Sequence, residues 1–354
     1  MEYGIALATH AESWQRVQRA EALGYASASF FDTQLLNADL FVAMGAAAMM
    51  TKAIKLTTGV LIPSNRIPAV AASALGSLNR LAPGRIEFGV STGFTGRRTM
   101  GLKRVKLADM TDYIRVVQGL LAGETVEWHH EGKPHKIRFL NPEIGAINIA
   151  DKVPLYISAT GPNSRALVAK LGAGWICPLG RAASALEALE DMRRKWIAVG
   201  RDLKDLLIHG EIGGCVLRPG EAYDAPRVKD EAGPSAIMLV HDLVEDEMQD
   251  RAHGALPPVL ATALEKYRKV YERFEPADAR YLTNHRGHLM FLKPEERDIV
   301  DAELIKNFSW TATKPELVER LRVLRDAGFQ RISVQIRHQH PAMIEDWWDV
   351  FQAV

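Results

Sequence analysis

YGIALATHAESWQRVQRAEALGYASASFFD, residues 3–32, is the stretch on which the fold turns. Residues 3–9 form a short apolar run suited to a buried strand, and residues 13–25 then bring Trp14, Val17, Ala20 and Leu23 onto one helical face. Gly24 closes that helix before a second strand candidate, SASFFD (27–32). With such short connections the helix must return the chain to the same end of the sheet, which makes the strands parallel and the crossover right-handed. The same unit recurs outward. The Ala- and Met-rich stretch 38–51 leads to IKLTTGVLIP (54–63), and 67–82 to RIEFGVSTG (85–93). Helices at 106–122, 163–173, 183–199 and 314–327 alternate with PLYISAT (154–160), WICPL (175–179), LIHGEIGGCVL (207–217) and RISVQIR (331–337). Eight strand candidates alternating with helices predict an α/β fold, a closed (β/α)8 TIM barrel with insertions, with an open doubly wound sheet as the competing arrangement.

Two stretches break the rhythm. Residues 124–152 contain VEWHHEGKPHKIRF, whose alternation around Gly132 and Pro134 predicts a hairpin or extended excursion, with His129, His130 and His135 exposed. Residues 218–313 are longer and mixed, with Pro219, Pro226, Pro234, Pro257 and Pro258 among them and helical stretches near 235–250 and 258–273. An excursion of this kind is expected to act as a lid or an oligomer contact, so residues 1–354 read as one barrel domain forming a homodimer or higher homo-oligomer.

Composition bounds the partners. Across 354 residues, 44 Lys+Arg balance 43 Asp+Glu, which leaves no electrostatic footprint for nucleic acid or an anionic membrane. Charged residues at 25% and hydrophobic ones at 47% fit neither disorder nor a fibrous repeat. Cys177 and Cys215, the two cysteines, are too few for a disulfide scaffold or a thiolate zinc site. No secretory signal and no uncharged apolar run of about 18 residues is visible, so a cytoplasmic address and a small-molecule substrate are expected.

Barrel enzymes work at the C-terminal ends of their strands, so those ends supply the candidates. His10, Asp32, Gln34 and Thr92 are the candidate catalytic side chains there, His10 because an imidazole titrates near neutrality. In SATGPNSRALVAKLGAG (158–174) the strand turns through Thr160, Gly161 and Pro162 directly into a helix bearing Asn163 and Ser164. Free amides and the positive end of a helix dipole there suit a phosphate, although an ordinary capped helix would look the same. CPLGR (177–181) adds Gly180 and Arg181 at the neighbouring strand end. Gly59 inside TTGVLIPSN (57–65) marks a bulge or a close backbone approach. GVSTGFTGRRTMG (89–101) is glycine-rich but lacks a dinucleotide fingerprint. His285 and His288 could share a helical face, but no third ligand of matching spacing accompanies them and no metal site is assigned.

In order and spacing, LTTGVLIPSNRIP (56–68), LAPGRIEFGVSTG (81–93), LADMTDYIRVVQGLLAGETVEW (107–128), SATGPNSRALVAKLGAGWI (158–176) and TKPELVERLRVLRDAGFQRISV (313–334) resemble the bacterial-luciferase-like superfamily of flavin- and deazaflavin-dependent barrels. The resemblance implies a non-prolyl cis peptide at Gly59 and Val60 against the flavin ring. It also implies that Ser91 and Thr92 edge the ring, and that Thr160, Gly161, Asn163 and Ser164 hold the cofactor phosphate. Two departures bear on chemistry. Where luciferases carry a histidine after the second strand this chain has FFDTQ, and where deazaflavin-dependent sugar-phosphate dehydrogenases carry a glutamate it has Phe94. Phe94 beside Phe30 and Phe31 would suit a flat or apolar substrate. The resemblance leads first to a two-component monooxygenase using oxygen and reduced FMN supplied by a partner flavin reductase. The alternatives are an F420-dependent hydride-transfer enzyme, which the ATGP turn and the DTQ segment resemble at least as well, and a flavin-binding barrel without catalysis.

Overall fold

The computed structural model describes residues 1–180, 182–248 and 254–354. Eight parallel strands close into a barrel: β1 (Glu2–Leu7), β2 (Ser27–Phe30), β3 (Lys55–Thr58), β4 (Ile86–Val90), β5 (Leu155–Ser158), β6 (Gly174–Pro178), β7 (Ile208–Ile212) and β8 (Arg331–Ile336). Each strand pairs with the next in sequence, and β8 pairs with β1 from Glu2↔Arg331 to Leu7↔Ile336, which rules out the open sheet. The helices between them are set by local signals. Gly24, at φ 111°, ends helix Ser13–Leu23, Asp39 caps helix Leu40–Met50 through the Phe41 and Val42 amides, and Pro68 opens helix Pro68–Leu81.

Residues paired across a parallel ladder share a face, so the register separates inside from outside. Gly4 pairs with Ser27 and Ser333, and Ser333 with Glu211. A Cβ on Gly4 would fall 2.3 Å from Ser27 Oγ and 2.4 Å from Ser333 Oγ, so this row points into the barrel. The intervening residues Ile5, Ala28, Val334 and Ile212 join the apolar layer between strands and helices, with Trp175, Phe88 and Trp347.

Two expected strands are cut short at their mouth ends. The segment 54–63 leaves the ladder after Thr58, where Gly59–Val60 is a cis peptide, and Leu61 returns for a single bridge to Val90. The segment 207–217 bends at Gly213 and Gly214, and Val216–Leu217 pairs instead with Ala312–Thr313. Gly214 is needed at that bend, because a Cβ there would lie 2.1 Å from the Trp310 carbonyl oxygen.

Both excursions carry regular secondary structure among the described residues. Val126–His130 and Lys133–Ile137 form an antiparallel hairpin turned by Glu131 (φ 52°) and Gly132 (φ 76°), with His129, His130 and His135 exposed. Within 218–313, helices Pro226–Met248, Pro258–Tyr271 and Ala302–Phe308 pack around an apolar cluster of their own that includes Val228, Ile237, Leu264 and Val300. The first of these helices begins before Pro234 and carries it inside, earlier than the sequence pattern places its start. No helix among the described residues is long and apolar enough to cross a membrane.

Candidate active site

The N-terminal end of the barrel is sealed by paired charges. Arg331 donates to both oxygens of Glu87 at 2.6 and 3.0 Å, Thr57 Oγ1 donates to the same carboxylate at 2.6 Å, and Arg331 Nε reaches Glu2 at 3.1 Å. Acid and base answer each other at this end.

The rest of the barrel interior has a different character. Ser27 Oγ, Ser29 Oγ, His209 Nδ1 and Glu211 Oε1 are buried without a hydrogen-bond partner among the described residues. His209 Nε2 meets Ser333 Oγ at 2.7 Å, and burial, with Arg331 adding to it, drives this imidazole well below its usual range, so it is neutral. Glu211 is partly exposed, and burial alone pushes its carboxyl up to about 7. Neither His209 nor Glu211 stands out at a strand end in the sequence. Their signal lies within LIHGEIGGCVL, where two polar residues alternate in an apolar run and therefore share the inward face.

Gly59 and Val60 are partly exposed at the end of β3, and a Cβ on Gly59 would fall 2.8 Å from the Ser29 Cβ. Ser91 Oγ donates to the Ser158 carbonyl at 3.1 Å, and Thr92 is partly exposed with its hydroxyl free of partners among the described residues. Asp32, by contrast, is fully engaged: its carboxylate accepts from the Ile62 amide (3.1 Å), Asn65 Nδ2 (3.1 Å) and Arg66 (2.9 Å). Burial works against the Arg66 cation, but Asp32 and Asp39 outweigh it and hold Arg66 above its usual value. Gln34 joins the same network, donating to the Gly96 carbonyl (2.7 Å) and accepting from Asn65 (2.7 Å). His10 is half exposed and sits at 4.8 Å from the His338 ring, with its hydrogen bonds to the start of helix Ser13–Leu23.

The aromatic trio expected over the mouth does not assemble. Phe30 alternates outward from Ser29 and is fully buried in the strand–helix layer, and Phe94 is clamped between Arg98 (4.2 Å) and Arg104 (4.1 Å). Phe31, next to Phe30 in sequence, is half-buried.

At the end of β5 the turn into helix Pro162–Leu171 is held rigidly. Trp175 Nε1 donates to the Ala159 carbonyl (2.9 Å), Arg165 to the Thr160 carbonyl (2.6 Å), and Gly161 and Ser164 exchange hydrogen bonds at 3.2 and 2.9 Å. Thr160 and Asn163 are exposed, and their side chains make no hydrogen bond among the described residues. Gly180 faces open space, since no described atom would lie within 4 Å of a Cβ placed on it, while Arg181 lies outside the described residues.

The 218–313 excursion is bonded to the strand ends. Arg337, above β8, donates to the Glu231 carbonyl (2.8 Å), the Leu289 carbonyl (2.6 Å) and Ser235. Thr95 meets His288 at 3.0 Å, and Arg98 pairs with Asp246 at 2.7 Å. His285 and His288 are both buried, 6.0 Å apart, and belong to this packing; among the described residues no cluster has the geometry of a metal site.

Known proteins share this architecture. The chain is 33% identical over 146 residues to an F420-dependent glucose-6-phosphate dehydrogenase of Beutenbergia cavernae, a match covering 39% of this chain and 41% of that protein. It is 30% identical over 172 residues to the 5,10-methylenetetrahydromethanopterin reductase of Methanolobus tindarius, covering 48% and 51%. The matches thus span about half the length of these relatives or less. In structure, the coenzyme F420-dependent tetrahydromethanopterin reductase of Methanopyrus kandleri superposes over 98% of this chain and 97% of its own, with a TM-score of 0.69 at 19% identity. The FMN-bound oxygenating constituent of 3,6-diketocamphane monooxygenase from Pseudomonas putida superposes over 100% and 96%, with a TM-score of 0.61 at 14% identity. At those identities the likeness speaks for the fold. The sequence profile of the luciferase-like monooxygenases matches residues 4–331, and the chain belongs to that family of oxidoreductases.

Proposed function

We propose that this protein is an F420-dependent oxidoreductase that exchanges a hydride with a small organic substrate. The inward lining carries this assignment: serine hydroxyls, a histidine and the Glu211 carboxyl, whose Oε1 has no partner among the described residues. An oxygenase must keep water from a reactive flavin species, whereas hydride exchange asks for a stacked ring, an anchored anionic end and a group that can pass a proton. The relatives named as F420-dependent point the same way.

The residues present fit such a cofactor. Gly59 packs directly on Ser29 with no room for a side chain, which leaves the Gly59–Val60 peptide partly exposed at the end of β3, and Thr160 and Asn163 offer polar groups without partners among the described residues at a helix N-terminus. When bound, the deazaflavin would supply a two-electron hydride donor or acceptor. Thr160 and Asn163 would hold its phosphate through their side chains and the first amides of the helix, on a turn that Gly161 and Ser164 brace by their mutual hydrogen bonds. Asp32 acts here as a positioning residue: through Asn65, Arg66 and the Ile62 amide it fixes the 62–66 turn that follows Gly59–Val60. The excursion, anchored at Arg337, Thr95 and Arg98, would limit solvent entry.

The test is anaerobic incubation of the protein and F420 with panels of alcohols and carbonyls, following the absorbance of the oxidised deazaflavin. Turnover without oxygen supports the assignment. Oxygen uptake with reduced FMN, and no turnover with F420, would replace it with the monooxygenase; binding without turnover of either would favour a non-catalytic barrel.

A further inference from the structure

We propose that the Glu211 carboxyl is the proton donor and acceptor of this site, and that the substrate is accordingly a hydroxyl/carbonyl pair. The inference rests on the hydride-transfer reading above. Glu211 is the fourth of the five residues of β7, in register with Pro178, the last residue of β6, and with Ser333 in the middle of β8, both on the inward face. Its backbone is pinned, since its carbonyl accepts from the Leu179 amide at 2.7 Å, while Oε1 has no partner among the described residues. A carboxyl in such a place does nothing for packing. Glutamine or an apolar residue would fill the same volume without the cost of burying an unsatisfied acid, so the unpaired oxygen points to a ligand that completes it.

The surrounding groups leave the proton to Glu211. Below it on the same strand stands His209, neutral and tied to Ser333. On β6 the Cys177 thiol is pushed up to about 12 by burial, with Glu211 adding to the rise, and does not titrate near neutrality. On β8, Gln335 carries no charge, and Arg337 beyond it is held by the carbonyls of Glu231 and Leu289. No cation among the described residues offsets the burial of Glu211, which pushes its carboxyl up to about 7, where either protonation state is within reach at physiological pH.

The step balances. In the oxidative direction the O–H bond of an alcohol breaks, its proton goes to the Glu211 carboxylate, and its electron pair becomes the second C–O bond of the carbonyl. The hydrogen on that carbon leaves with its own electron pair to the oxidised deazaflavin. In reverse, the protonated carboxyl gives its proton to the carbonyl oxygen as carbon receives the hydride.

Two measurements test this. Infrared difference titration of protein labelled with 13C-glutamate needs no cofactor: a carboxyl band titrating near neutrality and missing in Glu211→Gln is expected, and titration near the ordinary glutamate value would overturn the proposal. Steady-state kinetics then use whichever of F420 or reduced FMN supports turnover, so that an error in the cofactor is read separately. Glu211→Gln should lower kcat by about 10²-fold or more with KM little changed and abolish the near-neutral limb of the pH profile. Glu211→Asp should restore part of both. An unchanged profile in Glu211→Gln would contradict the assignment.

Discussion

At the floor of the barrel Glu87 takes two hydrogen bonds from Arg331 and one from Thr57, whereas near the mouth the Glu211 Oε1 takes none from the described residues. Both acids point inward from strands of one barrel, so their difference isolates what the two ends are for. A buried carboxylate with a bidentate guanidinium is stable only as a pair, and it closes the N-terminal end against water. A carboxyl left unpaired is a standing cost, tolerated where a ligand or a proton transfer uses it. This is the division of labour of TIM barrels, with stability at one face and chemistry at the other, read here from hydrogen-bond partners.

Breaking the floor should give the largest effect on stability. Glu87→Gln leaves Arg331 buried beside a neutral amide and should cost about 3–5 kcal/mol in chemical denaturation, while the folded fraction binds cofactor as before. Equal losses of binding and stability would blur the distinction between the two ends.

The mouth should respond with the opposite sign. The folded protein keeps the Glu211 proton up to about 7, whereas the unfolded chain releases it near 4.5. The unfolded state therefore binds fewer protons between those values, and stability falls as pH rises through that window. Glu211→Gln removes this penalty. It should be more stable than the parent above pH 7 by roughly 3 kcal/mol, a gap that closes as pH falls toward 4.5. Thermal melts of both proteins across that range check it, and a pH-independent difference would show that Glu211 does not titrate as described.

At the anion turn a smaller change is expected. Ser164→Asp puts a carboxylate where the phosphate would sit and breaks the exchange with Gly161, so the dissociation constant should rise about tenfold or more, close to 1.4 kcal/mol. Unaltered affinity would remove residues 160–164 from the cofactor site. The smallest effect belongs to the hairpin, remote from both ends in function: Gly132→Ala, at a φ of 76°, should cost about 1 kcal/mol and leave binding unchanged.

Much of this molecule was legible in the sequence. The eight strands, their parallel order and the hairpin follow from apolar periodicity and turn residues, which act over short range. The turn at 160–164 was legible because a Gly-Pro pair directly after a strand has few structural meanings. What the sequence concealed depends on direction and pairing. Asp32 stood at a strand end like a catalytic acid, and only the fold brings Arg66, Asn65 and the Ile62 amide onto it. Phe30 and Phe31 looked alike, yet strand alternation sends Phe30 into the strand–helix layer. Glu211 was hidden for the converse reason: it lies within a strand rather than after one, and its meaning comes from an oxygen left without a partner among the described residues.

The proposal that the mouth takes a deazaflavin is tested most directly by anaerobic equilibrium titration of the wild-type protein with F420 and, separately, with FMN, each oxidised and reduced. We expect F420 to bind more tightly than FMN by about tenfold or more in at least one redox state. Tighter binding of reduced FMN than of either form of F420 would contradict the claim.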